Sequence, residues 1–196
     1  TLSNHGDMEI IGNQSPRYQY SINMSLNWNG IGLSMLWQGV GKRDWYPWTE
    51  SGFFWGKWNR AYNSLMKTQT GDRVVKIDKS TDNWRVTNMD KNPYWTRMVS
   101  LAANRNDGPL TWENDHYLQD ASYIRLKNIT LGYTIPINKR ILEKVRVYVS
   151  GENLAYWSPL KRYSKTVDPE VATTSATNDC LYPYSRTFSV GVDITF

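Results

Sequence analysis

Metal or thiol chemistry has little to work with in this chain of 196 residues, which holds two histidines, His5 and His116, and one cysteine, Cys180. No internal disulfide can form. Neither histidine has metal-ligand spacing to the other or to the cysteine, so no metal site is expected. Asp168 and Glu170 are a spaced carboxylate pair of the kind that serves glycoside hydrolysis. Asp168-Pro169 favours a turn, however, and nothing in the sequence predicts burial that would raise one carboxyl pKa. With no converging His, Cys or carboxylate cluster, neither an enzyme nor a cofactor is expected. The richest chemistry lies in Arg43-Asp44-Trp45-Tyr46-Pro47-Trp48 and Phe53-Phe54-Trp55-Gly56-Lys57-Trp58. Flat aromatic faces stack on sugar rings or peptide side chains, and a charged pair can hydrogen-bond a polar ligand. Arg43, Asp44, Trp45, Trp48, Trp55 and Trp58 are therefore the candidate substrate-binding residues. The competing reading is a loop packed on itself or against a partner, with Arg43 and Asp44 a solvated pair.

The elements that must position these residues announce themselves by period. From Arg17 to Trp28, Tyr18, Tyr20, Ile22, Met24, Leu26 and Trp28 alternate with polar residues. At 40% hydrophobic residues such a twelve-residue alternation arises by chance in roughly 4 of 10,000 windows, so a half-buried strand is expected. Asn29-Gly30 follows, a dipeptide suited to a two-residue hairpin turn. A second strand returns with Ile31, Leu33, Met35 and Trp37 on one face and Leu36 as the exception. Ser122 to Ile135 forms a third strand, with Ile129, Leu131, Tyr133 and Ile135 apolar in its lower half. Its upper half reverses polarity, Tyr123, Arg125 and Lys127 sharing the apolar parity, as expected of a strand rising from a membrane into water. Lys144 to Asn153 alternates Val145, Val147 and Val149 with polar residues. The last strand places Phe188, Val190, Val192, Ile194 and Phe196 opposite Thr187, Ser189, Gly191, Asp193 and Thr195.

Composition agrees with strands facing an apolar solvent. Thirteen Tyr and ten Trp against four Phe put the aromatic load in side chains with polar tips, suited to an interface between water and apolar matter. No stretch approaches the roughly 18 apolar residues of a spanning helix, whereas barrel strands conceal their apolar residues in alternation. Lys and Arg are scattered among carboxylates at a net charge of +5, without the basic run that nucleic-acid binding favours. Connections alternate in length. Asn29-Gly30 and a segment around Pro136 to Glu143 are short, while Gly41 to Ala121 and Ala155 to Tyr184 are long, the habit of outer-membrane barrels with periplasmic turns and extracellular loops. Ile22, Met24, Leu33, Met35, Leu131, Val147, Val190 and Val192 are then expected to face lipid. Arg146 and Glu152 are expected to face the lumen or a plug. Asn128-Ile129-Thr130 matches a glycosylation acceptor inside a strand and is read as coincidence. Trp58, Ala61, Tyr62, Leu65 and Met66 recur at helical spacing and predict a short helix after Gly56 in the first long loop.

These residues resemble the SusC/RagA family of TonB-dependent transporters of Bacteroidota over most of the chain. Ile11-Gly12 with Pro16-Arg17-Tyr18 looks like the entry to a late strand, and Gln38 to Asp44 (QGVGKRD) like the exit from the next. Most specific is Asp120 to Pro136, DASYIRLKNITLGYTIP, continued by Val145 to Leu154, VRVYVSGENL, and by Asp168-Pro169-Glu170. The resemblance implies that residues 1–196 are the carboxyl-terminal part of an all-β transmembrane barrel of about 22 strands. About five antiparallel strands belong to this chain, with the plug domain and TonB box outside it. No signal-peptide pattern opens at Thr1, so the protein is expected to begin upstream. It implies active import of oligosaccharides or peptides through the bacterial outer membrane, with a SusD-like surface lipoprotein as lid and TonB coupling through the missing amino-terminal region. The lid is then a second partner that the tryptophan-rich loop could contact. Phe196 resembles the signal read by the barrel-assembly machinery. The alternative from the residues alone is a secreted, Trp-rich carbohydrate-binding β-sandwich.

Overall fold

A computed structural model describes residues 6, 9–47, 52–58, 62, 64–71, 74–80, 85–98, 113–139, 142–172 and 182–196. Trp48, His5, Ala61 and Cys180 lie outside them. Two strands, β1 (Tyr18–Trp28) and β2 (Ile31–Gly41), form the expected hairpin, paired from Trp28 opposite Ile31 to Tyr18 opposite Gly41. Asn29 and Gly30 both have positive φ, 47° and 82°, the requirement of the tight turn whose twist matches its strands. The first long connection carries β3 (Asp44–Trp45), a one-turn helix α1 (Gly52–Trp55) running into a 3-10 turn at Gly56–Trp58, and a small hairpin of β4 (Ile77–Asp78) and β5 (Arg85–Val86). β6 (Gln119–Asp120) pairs with β3. Three long strands follow: β7 (Tyr123–Lys139), β8 (Leu142–Trp157) and β9 (Thr187–Thr195). The main sheet has the order β1-β2-β7-β8-β9, antiparallel throughout.

The alternation read in each strand becomes a two-dimensional pattern because the registers align. Across the sheet, Leu26 stands opposite Leu33, Leu33 opposite Leu131, Leu131 opposite Val149 and Val149 opposite Val190. Neighbouring rows are Met24, Met35, Ile129, Gly151, Phe188 on one side and Trp28, Ile31, Tyr133, Val147, Val192 on the other. One face is thus continuously apolar. It is also uncovered: Ile22, Met24, Leu131, Val147, Val190 and Val192 are all exposed, while Leu33 and Met35, flanked on both sides by strands, are partly screened. The other face carries Ser, Asn, Thr, Arg146 and Asp193.

The polarity reversal in β7 has a different cause from the one its sequence suggests. Leu36 and Trp37 are adjacent in β2 yet face Asn128 and Leu126, so Lys127 is an extra residue in β7. Between Leu126 and Asn128 the partner strand also shifts register, with Asn153 in the left-handed region at φ 52°. Such a bulge exchanges the faces of every residue beyond it. Leu126 and Ile124 therefore stay with the outward apolar set, Ile124 opposite Trp157, and Tyr123 and Arg125 turn to the polar face.

The second short connection is shorter than expected, since β7 continues through Pro136 to Lys139 and β8 begins at Leu142. Proline fits there because its missing N–H is not needed. The Thr134 N–H bonds back to the Gly30 carbonyl at the hairpin turn. Residue 136 points the same way, past the end of β2, where no strand waits for a donor.

No second layer covers the sheet among the described residues. The chain's core lies in the long connections: Trp45, Tyr46, Phe54, Trp55, Trp58, Trp95, Tyr117, Ala121, Leu160 and Ala172 pack into one cluster. The described helical turns of the first loop are α1, ahead of Gly56, and the 3-10 turn Gly56–Trp58, while residues 59–61 and 63 of the expected helix lie outside the described residues. Residues 64–66 are not helical, and Tyr62 and Leu65 are exposed. The apolar residues at helical spacing thus do not share a buried face.

Candidate functional site

Three of the candidate tryptophans are buried in the loop core. Trp45 is 5% exposed, Trp55 0% and Trp58 1%. Phe54 sets its ring edge-on to Trp55 at 4.5 Å and lies 5.0 Å from Trp95, and Trp58 stacks on Trp95 at 5.3 Å. Each indole N–H of Trp55, Trp58 and Trp95 finds a backbone carbonyl, of Pro47, Arg97 and Thr68 respectively. Burying an indole without such a partner would forfeit part of the gain from its area. Buried Gln69 closes the cluster, its Nε2 donating to the Phe54 carbonyl at 2.8 Å and its Oε1 accepting from the Met66 N–H at 3.2 Å. These rings hold the loop together, and their faces are occupied by one another. Burial pushes the phenols of Tyr46, Tyr94 and Tyr117 up from their ordinary value.

Arg43 and Asp44 part company. Asp44 accepts the Asn13 N–H at 2.9 Å. Arg43 is buried rather than solvated, donating Nη1 to the Pro169 carbonyl at 3.0 Å and Nη2 to that of Ala172. Burial lowers its pKa from the ordinary arginine value. Its partners belong to the turn 168–172, in which the Asp168 carbonyl accepts from Val171 and Ala172.

The same turn is gripped from the main sheet. Arg125, its side chain 1% exposed, is paired through Nη2 with Oδ1 of Asp168, also 1% exposed, and lies with Nε 3.0 Å from Glu170 Oε2. Lys127 pairs with the other oxygen of Glu170. The Arg125 guanidinium lies 4.7 Å from the ring centre of Tyr156 and 5.4 Å from that of Tyr184, where cation–π attraction adds to the ion pair. Asp168 is further satisfied by the N–H groups of Glu170 and Tyr184. The carboxylate pair that could have served hydrolysis is thus committed to cations, with Asp168 buried and Glu170 partly buried, where nothing in the sequence predicted burial. Arg125 and Lys127 escaped attention as site residues. Their signal was present: the parity reversal placed them, and their spacing of two matches that of Asp168 and Glu170.

The polar face below is built with fewer constraints. Arg146 stands 3.8 Å from Asp193, and both are well exposed. A Cβ at Gly132 would meet Arg146 Nε at 2.9 Å, and one at Gly191 would fall within the Tyr148 ring, so glycine lets these long side chains lie flat on the sheet. His116 is held in the loop, its ring stacked on Tyr94 and its Nε2 2.8 Å from the Tyr94 carbonyl.

No family model matches the chain. Over 97% of its length it is 26% identical to TonB-dependent receptor P26 of Formosa agariphila, and 41% of it is 35% identical to TonB-dependent receptor P3 of the same organism. The chain superposes on the RagAB peptide importer in its closed-closed state with a TM-score of 0.62 over 99% of its residues, at 19% identity. The RagAB peptide transporter gives 0.60 over 95%, at 18% identity. The chain is thus similar to a segment of these TonB-dependent receptors and shares the fold of the matching part of the RagAB structures. It spans 18% and 9% of the two receptors and 19% and 18% of the two solved chains.

In this segment every described long connection lies at one end of the sheet, the end at which Arg43 and Arg125 hold the 168–172 turn. A polar cleft of about 520 Å³ opens in those loops between Asp90, Asn92, Tyr94, His116, Arg162 and Lys165. It offers donors and acceptors that the buried tryptophans no longer present.

Proposed function

We propose that this chain forms part of an outer-membrane active transporter that imports oligosaccharides or peptides, closed by a SusD-like lipoprotein and driven through TonB. The observation that carries the reading is the apolar face running in register across all five strands without any described part of the chain covering it. A face of this size on a water-soluble protein would be an aggregation surface, whereas hydrocarbon satisfies it. The polar face then lines a lumen, and the loop end faces outside. Five strands cannot enclose a lumen, so the remaining wall comes from other parts of the protein. A β-sandwich, the alternative from sequence, needs a second sheet on the apolar face, and none stands there among the described residues.

The substrate class is tested with the full-length transporter in its native host. Uptake of labelled oligosaccharides and of labelled peptides is compared in wild type, in a strain lacking this protein and in a strain lacking TonB. Import is expected to vanish in both deletion strains for one class of substrate. Unchanged uptake of both classes without this protein would refute the transport reading. Capture of a surface lipoprotein with the solubilised transporter tests the lid.

A further inference from the structure

We propose that a cleft on the outward face, where the sheet meets the loops, holds the headgroup of a phosphoethanolamine lipid; this rests on the membrane-barrel reading above. The cleft has a volume of about 840 Å³. Its sheet wall is Tyr20, Ile124 and Trp157, members of the outward apolar set that runs down onto Ile22, Trp37 and Leu126. Trp157 and Tyr20 are 58% and 43% exposed, and aromatic side chains with polar tips suit the level of lipid headgroups. An acyl chain entering from the rows below would therefore carry its headgroup into the cleft.

The charged lining selects the headgroup. Lys42 and Lys161 supply two cations, Asp44 and Asp120 two carboxylates. Lys161 is held in place, its Nζ donating to the Tyr156 carbonyl at 2.8 Å and lying 3.7 Å from that ring's centre. Lys42 sits at φ 50°, a conformation that favours glycine or asparagine, so the backbone is strained to present a lysine there. Asp44 and Asp120 face each other directly across the β3–β6 pair, where like charges repel. An ammonium between them would remove that repulsion, and a phosphate would take the lysines. A headgroup carrying both matches the lining; a purely anionic one leaves the carboxylates facing it.

The experiment uses the full-length transporter in nanodiscs of phosphatidylcholine doped with phosphatidylethanolamine or phosphatidylglycerol, with lipid retained through delipidation counted by native mass spectrometry. Wild type is expected to retain phosphatidylethanolamine over both others, since a quaternary ammonium cannot hydrogen-bond a carboxylate. Lys42→Gly relieves the strained backbone while removing the cation. It is expected to lower that retention about tenfold, the worth of one charge-assisted hydrogen bond, without lowering the melting temperature in pure phosphatidylcholine. Asp120→Asn keeps an acceptor for the Ser122 N–H and is expected to shift preference towards phosphatidylglycerol. Equal retention of the three lipids by wild type, or undiminished retention by Lys42→Gly, overturns the proposal. So does displacement by soluble phosphoethanolamine as effective as by the lipid, which would mark a site for a free headgroup. Failure of the transporter to insert as a folded barrel would instead overturn the reading on which the proposal rests.

Discussion

Lysine placed along the last strand tests, at nearly constant depth, the proposal that the apolar face meets lipid and the polar face a lumen. Val190 ends the row of Leu26, Leu33, Leu131 and Val149, and is 77% exposed on the apolar face. That row contains no aromatic residue, whereas the next towards the hairpin turns holds Trp28 and Tyr133 beside Val192. Val190 is therefore deeper than Val192. A lysine near the midplane of a barrel's lipid face costs about 2–4 kcal/mol, falling to about 0–1 kcal/mol at the interface. Val190→Lys is expected at the upper end and Val192→Lys below it. Asp193 points the other way, 3.8 Å from Arg146 with both side chains about half exposed. A pair so solvated contributes about 0–1 kcal/mol, so Asp193→Lys loses little beyond it and adds a screened repulsion. A difference near 2 kcal/mol is roughly a thirtyfold change in the folding equilibrium. The assay is the heat-modifiable folded fraction of the full-length transporter refolded into bilayers across a urea series. Asp193→Lys as damaging as Val190→Lys would refute the assignment of faces, and with it the case for a membrane wall.

Arg125→Ala leaves Asp168 and Glu170 without their buried cation and is expected to destabilise the 168–172 turn by about 3–5 kcal/mol, read as protease cleavage within residues 158–186 of an otherwise folded barrel. Adding Asp168→Ala is expected to cost less than the sum of the single changes, because the two residues share one interaction. In a background without Cys180, a cysteine at Met89, 91% exposed in the first long loop, is expected to react with an impermeant thiol reagent on intact cells, and one at Asn29 only after the outer membrane is opened. Tyr46, Tyr94 and Tyr117 hold their protons above the ordinary tyrosine value, so the loop's stability is full below about pH 10 and is lost as pH rises through the raised values. Titration at 295 nm is expected to show delayed ionisation that becomes ordinary when Trp95→Ala opens the cluster.

What was legible in the sequence was whatever a strand reports locally. Alternation gave each face of β1, β2, β8 and β9, and Asn29-Gly30 gave their first turn. The bulge was visible only as its consequence, the changed parity of Tyr123, Arg125 and Lys127, because a bulge is defined by the partner strand's register. The loop residues were harder for a related reason. A tryptophan stacked on ligand and a tryptophan stacked on Trp95 have the same local sequence, and only the long-range fold decides which face remains free. Asp168 and Glu170 looked solvated because their partners stand 43 residues away.

The sheet and the loops of this chain bury their apolar residues to very different extents. The five-stranded sheet leaves its apolar face uncovered among the described residues, and on the membrane reading proposed above hydrocarbon supplies the term that a core supplies elsewhere. The loops carry their own aromatic core and satisfy the indole N–H groups of Trp55, Trp58 and Trp95 within it. Lys127 marks the join. Below it, β7 alternates between an apolar outside and a polar inside; beyond it, the shifted register sends Arg125 to the inner side, where the loop's carboxylates meet it. Without the extra residue, Arg125 would stand on the apolar face and the 168–172 turn would lose its anchor to the sheet. The bulge thus ties the loop core to a sheet that has no core of its own among the described residues.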